Sequence, residues 1–240
     1  MIIGWVPVGA VRGTDDRNRL DDHRKAWADA HDVRPRRHRC ETRGMRLGER
    51  IVSDGFQLPA GWTGRLGGLL MASGNAATER HVVDLVPDRG TQDVLVLGPG
   101  PGIGVHRLLS RGASVVAVDP SPVMLAATLR RCRRLCERGA TLTLRTGTAT
   151  SHGLGPGTVG TAISVNNVMI WPDRMAGLVS VRTALCPGGE LWVSAHEKWL
   201  APGLTADCRE AGFDDVEQWR WEPPGRGAST AVQLRARVET

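Results

Sequence analysis

The segment DVLVLGPGPGIG, residues 93–104, decides how this chain folds. Its first five residues, Asp93–Leu97, are an almost continuous apolar run, which is typical of a strand covered on both faces of a parallel sheet. Glycines then occupy every second position from 98 to 104, and prolines stand at 99 and 101. A glycine-rich loop after such a strand predicts a ligand site at the carboxyl end of the sheet.

Short apolar runs and helical segments alternate along the rest of the chain. The predicted strands are 93–97, 114–118, 141–144, 161–165 and 191–195, and the predicted helices are 105–110, 121–138, 173–185 and 204–211. Two last strands, 216–221 and 230–238, have no helix between them and predict a hairpin. This order predicts an α/β fold with a doubly wound, mostly parallel, seven-stranded Rossmann-like sheet that ends in an antiparallel hairpin.

The part of the chain before the glycine loop has a different composition. Residues 1–50 carry 12 Lys and Arg against 8 Asp and Glu, so they hold +4 of the formal charge of +6. They lack a periodic apolar face, which predicts a disordered basic extension. Residues 51–88 predict a helical lid, in which a helix follows Asn75, a candidate cap toward which Glu79 can reach back. Residues 89–240 are the predicted core.

The composition excludes several classes of function. The 240 residues include no Tyr, so a catalytic tyrosine is ruled out. Five scattered Cys predict neither a disulfide framework nor a zinc site. No apolar run is long enough to span a bilayer. We therefore expect a cytoplasmic protein with no membrane partner and no bound metal.

The glycine loop matches neither of two common phosphate-binding motifs. No frame gives the G-x-G-x-x-G pattern of dinucleotide-binding folds, and the Gly-Lys-Ser/Thr ending of a P-loop is absent. Pro99 and Pro101 also lack the backbone N–H groups with which such loops hold phosphate. The loop therefore favours close approach to an uncharged or cationic ligand.

Three motifs resemble those of the class I S-adenosylmethionine-dependent methyltransferases, of the bacterial small-molecule type. Gly98, Gly100 and Gly102 match the family's first motif, G-x-G-x-G. Asp119 ends the second predicted strand, 21 residues after Gly98, where the family places an acidic residue on the ribose hydroxyls. The segment LCPGGEL, residues 185–191, resembles the family's L-x-P-G-G-x-L.

The resemblance covers roughly residues 62–240. It implies S-adenosyl-L-methionine as cofactor and S-adenosyl-L-homocysteine as product. Besides the glycines and Asp119, the implied cofactor-binding residues are Met124 on the adenine face, Thr148 and Ala149 beside the adenine, and Asn166 at the ammonium group. Two positions depart from the family pattern: Val96 replaces an acidic residue before the first glycine, and Thr148 replaces the aspartate that holds the adenine amino group.

Polar and aromatic side chains that follow the fourth and fifth strands are the candidates for catalysis and substrate binding. His196 is the candidate general base, since the pKa of histidine lies near neutral pH. Asn166 and Asn167 are candidates for orienting the substrate, with a turn role as the alternative. The candidate substrate residues are Trp171, Glu197 and Trp199, for which packing is the alternative.

These observations predict a methyltransferase that acts on a small-molecule metabolite. They leave O-, N- and C-methylation open, with an aromatic or heterocyclic natural product as one substrate option. The alternatives are an RNA or DNA methyltransferase that uses the basic extension, and a non-catalytic partner subunit that binds the cofactor. Asn166 and Asn167 are not followed by the Pro-Pro-aromatic pattern of base amino methylation, which disfavours nucleic acid. The oligomeric state stays open, with a homodimer as one option.

Overall fold

The computed structural model describes residues 74–87, 93–224 and 229–239. The predicted basic extension and the first part of the predicted lid, residues 51–73, lie outside these ranges. The helices are α1 (Gly74–Leu85), α2 (Ile103–Ser110), α3 (Pro122–Glu137), α4 (Arg174–Ala184) and α5 (Leu204–Glu210). The strands are β1 (Asp93–Leu97), β2 (Val115–Asp119), β3 (Leu142–Thr146), β4 (Val159–Val165), β5 (Leu185–His196), β6 (Asp215–Trp221) and β7 (Ala231–Arg237).

The strands form one seven-stranded sheet in the order β3-β2-β1-β4-β5-β7-β6. Neighbouring strands from β3 to β5 are parallel, and β7 runs antiparallel to both β5 and β6. The predicted doubly wound sheet with a C-terminal antiparallel hairpin is therefore confirmed. The order of the strands reverses at β1, so the ends of β1 and β4 flank the switch point at which such sheets bind ligands.

Helices cover both faces of the sheet, and β1 contributes to a core on each face. Leu95 and Leu97 are buried in a cluster with residues of α4 and α5, whereas Val94 and Val96 are buried in a cluster with residues of α1, α2 and α3. This two-sided burial explains why the β1 sequence is apolar throughout, because alternate side chains of a strand point to opposite faces.

The start of β5 differs from the sequence prediction. Residues 187–189, which we expected to end the preceding helix, lie within β5. The backbone N–H of Gly188 donates to the carbonyl of Val238 at 3.1 Å, and the N–H of Val238 donates to Gly189 at 3.0 Å. These bonds to the end of the chain extend the strand through a segment whose Pro and Gly composition favours a turn.

The predicted cap of α3 is confirmed, whereas the candidate cap Asn75 lies inside α1, which begins at Gly74. Pro122 is in the first turn of α3, and the Oγ of Ser121 accepts a hydrogen bond from the N–H of Met124 at 3.4 Å. Asp173 caps α4 in the same way, with Oδ1 2.8 Å from the N of Ala176. No helix within the described ranges is long and apolar enough to cross a membrane.

Candidate functional site

The glycine loop joins β1 to α2 in a conformation that requires glycine. Gly98, Gly100 and Gly102 have φ angles of 65°, 52° and 81°, which lie in the left-handed region. A Cβ atom at position 98 would lie 2.3 Å from Nδ2 of Asn167, and one at position 102 would lie 2.9 Å from the Cα of Thr128. The loop is therefore packed against the end of β4 and against α3, with no room for side chains at these two positions.

Two side chains of α3 fix the loop carbonyls. The hydroxyl of Thr128 donates to the carbonyl of Gly100 at 2.9 Å, and Nε of Arg131 donates to the carbonyl of Pro101 at 2.7 Å. The N–H of Gly98 donates to Val118 at 2.9 Å, which places the start of the loop directly beside the end of β2. Hydrogen bonds from α3 and to the end of β2 thus hold the loop in place.

Asp119 lies at the end of β2, next to this loop, and only 6% of it is exposed. Its Oδ1 accepts a hydrogen bond from the N–H of Ser121 at 2.8 Å, whereas Oδ2 makes no hydrogen bond to any described residue. Burial raises the pKa of the carboxyl, and the Ser121 N–H acts in the opposite direction. A carboxylate oxygen that the described residues leave without a hydrogen bond is suited to accept one from a ligand hydroxyl.

The three candidate adenine-side residues have different surroundings. Met124 is half-buried in the first turn of α3. The Oγ1 of Thr148 lies 3.0 Å from the hydroxyl of Thr150 and 2.9 Å from that of Ser151, so this hydroxyl already has partners in its own turn. Ala149 is buried in the core on the α4 side of the sheet. Contact of Thr148 and Ala149 with an adenine stays a prediction.

Asn166 and Asn167 connect the end of β4 to its surroundings. The Oδ1 of Asn166 accepts a hydrogen bond from the backbone N–H of His196 at 3.1 Å, and its own N–H donates to Ser194 at 2.7 Å. Its φ of 51° is the only left-handed value among the non-glycine residues that are described. Asn167 accepts a hydrogen bond from Nε1 of Trp171 at 2.6 Å and packs on the glycine loop through Nδ2. Both amides therefore shape the site as well as border it.

His196 ends β5 beside Asn166, and only 5% of it is exposed. Burial, together with the nearby charge of Lys198, lowers the pKa of its imidazole. The neutral form of the ring, which can accept a proton, is therefore the dominant one near neutral pH.

Each of the three candidate substrate residues already contacts other side chains or helices of the protein. The carboxylate of Glu197 forms an ion pair with Arg220 on β6. Trp199 is 52% exposed, and the Nζ of Lys198 lies 5.0 Å from its ring centroid. The ring of Trp171 packs on α4, where it occupies the space that a Cβ of Gly177 would fill. Packing thus accounts for much of the Trp171 ring, and the substrate role of all three residues stays a prediction.

The structure adds one residue that the sequence analysis did not assign to the site. The Oε2 of Glu79 on α1 accepts a hydrogen bond from the N–H of Gly104, in the first turn of α2, at 2.8 Å. Its bond to a described residue is thus with the neighbouring helix, not with the start of its own helix as the sequence suggested. Glu79 lines a cavity together with Gly98 of the loop and Val96, which stands where the family pattern has an acidic residue.

The site fits a ligand with vicinal hydroxyls and a positive charge. It offers a buried carboxylate oxygen on Asp119, a second carboxylate on Glu79, and a loop from which two prolines remove N–H donors. Across the described segments, no three His, Cys, Asp or Glu side chains come together as a metal site. These features match the cofactor that the sequence motifs imply better than they match a phosphate.

Comparison with known proteins agrees with this geometry. The model of the family described as "Methyltransferase domain" matches residues 94–189, which include the glycine loop, Asp119 and Asn166. Among curated proteins, the uncharacterized methyltransferase YdaC of Bacillus subtilis is 27% identical over 164 residues, which are 63% of this chain and 88% of that protein.

Solved structures share the fold. Phosphoethanolamine N-methyltransferase 2 of Haemonchus contortus, solved with S-adenosyl-L-methionine, has a TM-score of 0.57 at 17% identity. The match covers 68% of this chain but only 52% of that enzyme. A chain from the complex of the Haloferax volcanii Trm112 methyltransferase activator with a methyltransferase has a TM-score of 0.58 at 17% identity, over 74% of this chain and 95% of that one.

Proposed function

We propose that this chain, whose residues 94–189 match the methyltransferase-domain family, is a class I S-adenosylmethionine-dependent methyltransferase that methylates a small-molecule metabolite. The cofactor supplies an electrophilic methyl group on its sulfonium sulfur. The chain's residues then have two tasks, which are to hold the cofactor in one orientation and to bring the accepting atom of the substrate in line. The cofactor assignment rests on the buried carboxylate of Asp119 beside the glycine loop. Among the described residues only the N–H of Ser121 donates to it, and that bond is to Oδ1.

Cofactor binding is proposed for the residues around the loop. The Oδ2 of Asp119 accepts hydrogen bonds from the ribose hydroxyls, and Met124 packs on the adenine. The glycines at 98, 100 and 102 let the backbone approach the ligand closely. Asn166 lines the methionine end from β4.

His196 is proposed as the group that removes a proton from the substrate when the accepting atom carries one. Its lowered pKa supports this role, since the imidazole is neutral and able to accept a proton at neutral pH. Asn166, which holds the backbone of His196 through Oδ1, fixes the position of this base. Asn167 is proposed to orient the substrate at the same rim.

The small size of the substrate is supported by burial. His196 and Asn166 are 5% and 8% exposed, so a substrate atom that reaches them enters a confined space. Such a space suits a compact molecule better than the broad surface of a folded nucleic acid.

A binding experiment with a matched control tests the cofactor assignment. Titration calorimetry of the full chain with S-adenosyl-L-methionine and S-adenosyl-L-homocysteine compares the wild type with Asp119→Asn, which keeps an acceptor for the Ser121 N–H. We expect the affinity to fall by about tenfold or more, since a charge-assisted hydrogen bond contributes about 1.5–3 kcal/mol. Asp93→Asn changes a half-buried carboxyl at the opposite end of the sheet and should leave the affinity unchanged. A folded wild type that binds neither ligand would refute the assignment.

One observation favours a second candidate, methylation of a nucleic acid. The exposed side of α3 and its C-cap together carry five arginines, at positions 130, 131, 133, 134 and 138, and a single acidic residue, Glu137. Such a stripe can contact phosphates. A nucleic-acid substrate predicts methylation that falls steeply with salt, whereas a small uncharged acceptor predicts little dependence. Cofactor binding without transfer to any acceptor would instead favour the non-catalytic partner subunit.

A further inference from the structure

A half-buried carboxylate from outside the glycine loop, that of Glu79, borders the same cavity as the loop. We propose that Glu79 and the cavity beside Gly98 form a cation subsite that binds the ammonium group of the cofactor's methionine part. This inference rests on the proposed function and assigns a ligand group to a residue on α1, outside the residues matched by the methyltransferase family, 94–189.

The position of Glu79 is fixed by a contact between two helices. α1 packs on α2 and on the face of β4 and β5. The hydrogen bond from Gly104 to Oε2 directs the carboxylate toward the loop, and Oε1 makes no hydrogen bond to a described residue. One oxygen thus holds the side chain in place and the other is left for a ligand.

The cavity has the size and lining that suit one small cationic group. Its volume is about 20 Å³, in a measure in which one water molecule needs about 10–15 Å³. Apart from Glu79 its walls are apolar side chains and the loop backbone: Val83, Val96, Gly98, Pro99, Gly104, Val105, Leu108, Ile163 and Val165. A carboxylate against such walls is poorly solvated, so a bound cation would stabilise its ionised form.

Within the part of the chain that the structure describes, no Lys or Arg side chain forms an ion pair with this carboxylate. Arg80 on α1 and Arg131 on α3 lower the pKa of Glu79 at a distance, but neither forms an ion pair with it. His106 on α2 lines a surface pocket together with these two arginines, and its side chain is exposed. β1 and β4 present only apolar side chains to the cavity. Burial is the largest influence, and it raises the pKa of Glu79 to about 7.

The strand order places this subsite on the opposite side of the glycine loop from Asp119. β1 lies between β2, which ends at Asp119, and β4, whose last residue Val165 lines the cavity. A ligand that lies across the loop can therefore place its ribose at Asp119 and its cationic end at Glu79. The loop carbonyls of Gly100 and Pro101 accept hydrogen bonds from Thr128 and Arg131.

Three ligands and two variants of the full chain separate this role from a purely structural one. The ligands are S-adenosyl-L-methionine, S-adenosyl-L-homocysteine and 5′-methylthioadenosine, which keeps the ribose and adenine but has no ammonium group. Glu79→Gln removes the charge and keeps an acceptor for the Gly104 N–H. Asp84→Asn is the matched control, because Asp84 joins the same two helices through an exposed ion pair with Arg107.

We expect Glu79→Gln to lower the affinity for S-adenosyl-L-methionine and S-adenosyl-L-homocysteine about tenfold or more. The affinity of this variant for 5′-methylthioadenosine should be unchanged. Asp84→Asn should change the affinity for none of the three ligands. For the wild type, affinity for S-adenosyl-L-homocysteine should rise between pH 6 and 7.5 as Glu79 ionises, and this rise should vanish in Glu79→Gln.

Equal losses of affinity for all three ligands would overturn the subsite in favour of a structural role. Unchanged binding of all three would also overturn it, while leaving the proposed function intact. A folded wild type that binds none of the ligands would instead refute the proposed function. Should Glu79→Gln not fold, a pH-independent affinity of the wild type would overturn the subsite by itself.

Discussion

Replacing Glu79 by Gln should change the pH dependence of folding stability in the absence of any ligand. Burial in the cavity beside the glycine loop raises the pKa of Glu79 from its ordinary 4.5 to about 7. The folded protein therefore holds this proton more tightly than the unfolded chain does. Between these two pKa values the folded state binds more protons, so the contribution of Glu79 to stability falls as the pH rises.

The expected size follows from the two pKa values. Each pKa unit corresponds to about 1.4 kcal/mol, and the proton is lost progressively over this range, so the free energy of unfolding loses about 2 kcal/mol from Glu79 between pH 5.5 and pH 8. Glutamine does not titrate and keeps the hydrogen bond from Gly104. The free energy of unfolding of Glu79→Gln minus that of the wild type should therefore be about 2 kcal/mol larger at pH 8 than at pH 5.5.

Urea denaturation of both proteins at the two pH values measures this difference, and groups that titrate in both proteins cancel. Asp84→Asn is the control. The ion pair with Arg107 lowers the pKa of Asp84, so the stability that Asp84 contributes is present above its unfolded pKa and is lost only as the pH falls below about 4. The Asp84 variant should therefore show no change relative to the wild type between pH 5.5 and 8. A pH-independent difference between wild type and Glu79→Gln would refute the reasoning that burial controls this carboxyl.

Three further predictions follow from single features of the structure. With a small-molecule acceptor, kcat/KM should fall on the acid side with an apparent pKa below 6.5, set by His196, and His196→Asn should lower kcat by about 10²–10⁴ with unchanged cofactor affinity. Gly98→Ala should abolish cofactor binding and lower the unfolding temperature. Gly112→Ala shares the left-handed φ but meets no atom within 4 Å, so it should lower only stability, and by less. Arg237→Met should lower the midpoint of thermal unfolding, because it removes the ion pair of the 2%-exposed Glu190, and adding Glu190→Gln should restore part of the loss. Unchanged melting in the Arg237 variant would contradict this account.

The sheet could be predicted because most of its strands are recognisable from their own short stretches of sequence. In each of β1 and β2 every side chain except one terminal aspartate is apolar, since both strands contribute to a core on each face of the sheet. The start of β5 was not predictable, because residues 187–189 are held in the strand by the end of the chain, about fifty residues away in sequence. Local composition favours a turn there, and only tertiary pairing overrides it.

Glu79 shows what a careful reading of periodicity could have added. Glu79, Val82, Val83 and Val86 follow the i, i+3, i+4, i+7 spacing of one helix face, and the three valines are buried. An acidic residue on such a face is removed from water only at a cost, so it needs a partner or a function. The capping interpretation considered the helix by itself, whereas the structure shows that the carboxylate contacts the next helix. The identity of that contact depends on tertiary packing, which the spacing alone does not determine.

The polar residues at the carboxyl edge divide into those that hold the edge together and those left for a ligand. The side-chain oxygens of Asn166 and Asn167 accept bonds from His196 and Trp171, and Glu197 pairs with Arg220. By contrast, Asp119 and Glu79 each have a carboxylate oxygen that bonds to none of the described residues. Sequence position could not separate these two groups, because all of them follow strands or border the same loop.

The two carboxylates of Asp119 and Glu79 indicate which kind of ligand fits the site. Two carboxylates flank a loop in which Pro99 and Pro101 provide no N–H donors, so a phosphate would meet repulsion and few partners. A ligand with ribose hydroxyls at one end and positive charge at the other would satisfy both carboxylates. Glu79→Gln and Asp119→Asn should then weaken S-adenosyl-L-homocysteine independently, with losses that add in the double variant, since the two groups would contact opposite ends of the ligand. A double variant no weaker than either single one would show that the two carboxylates do not act on one bound molecule.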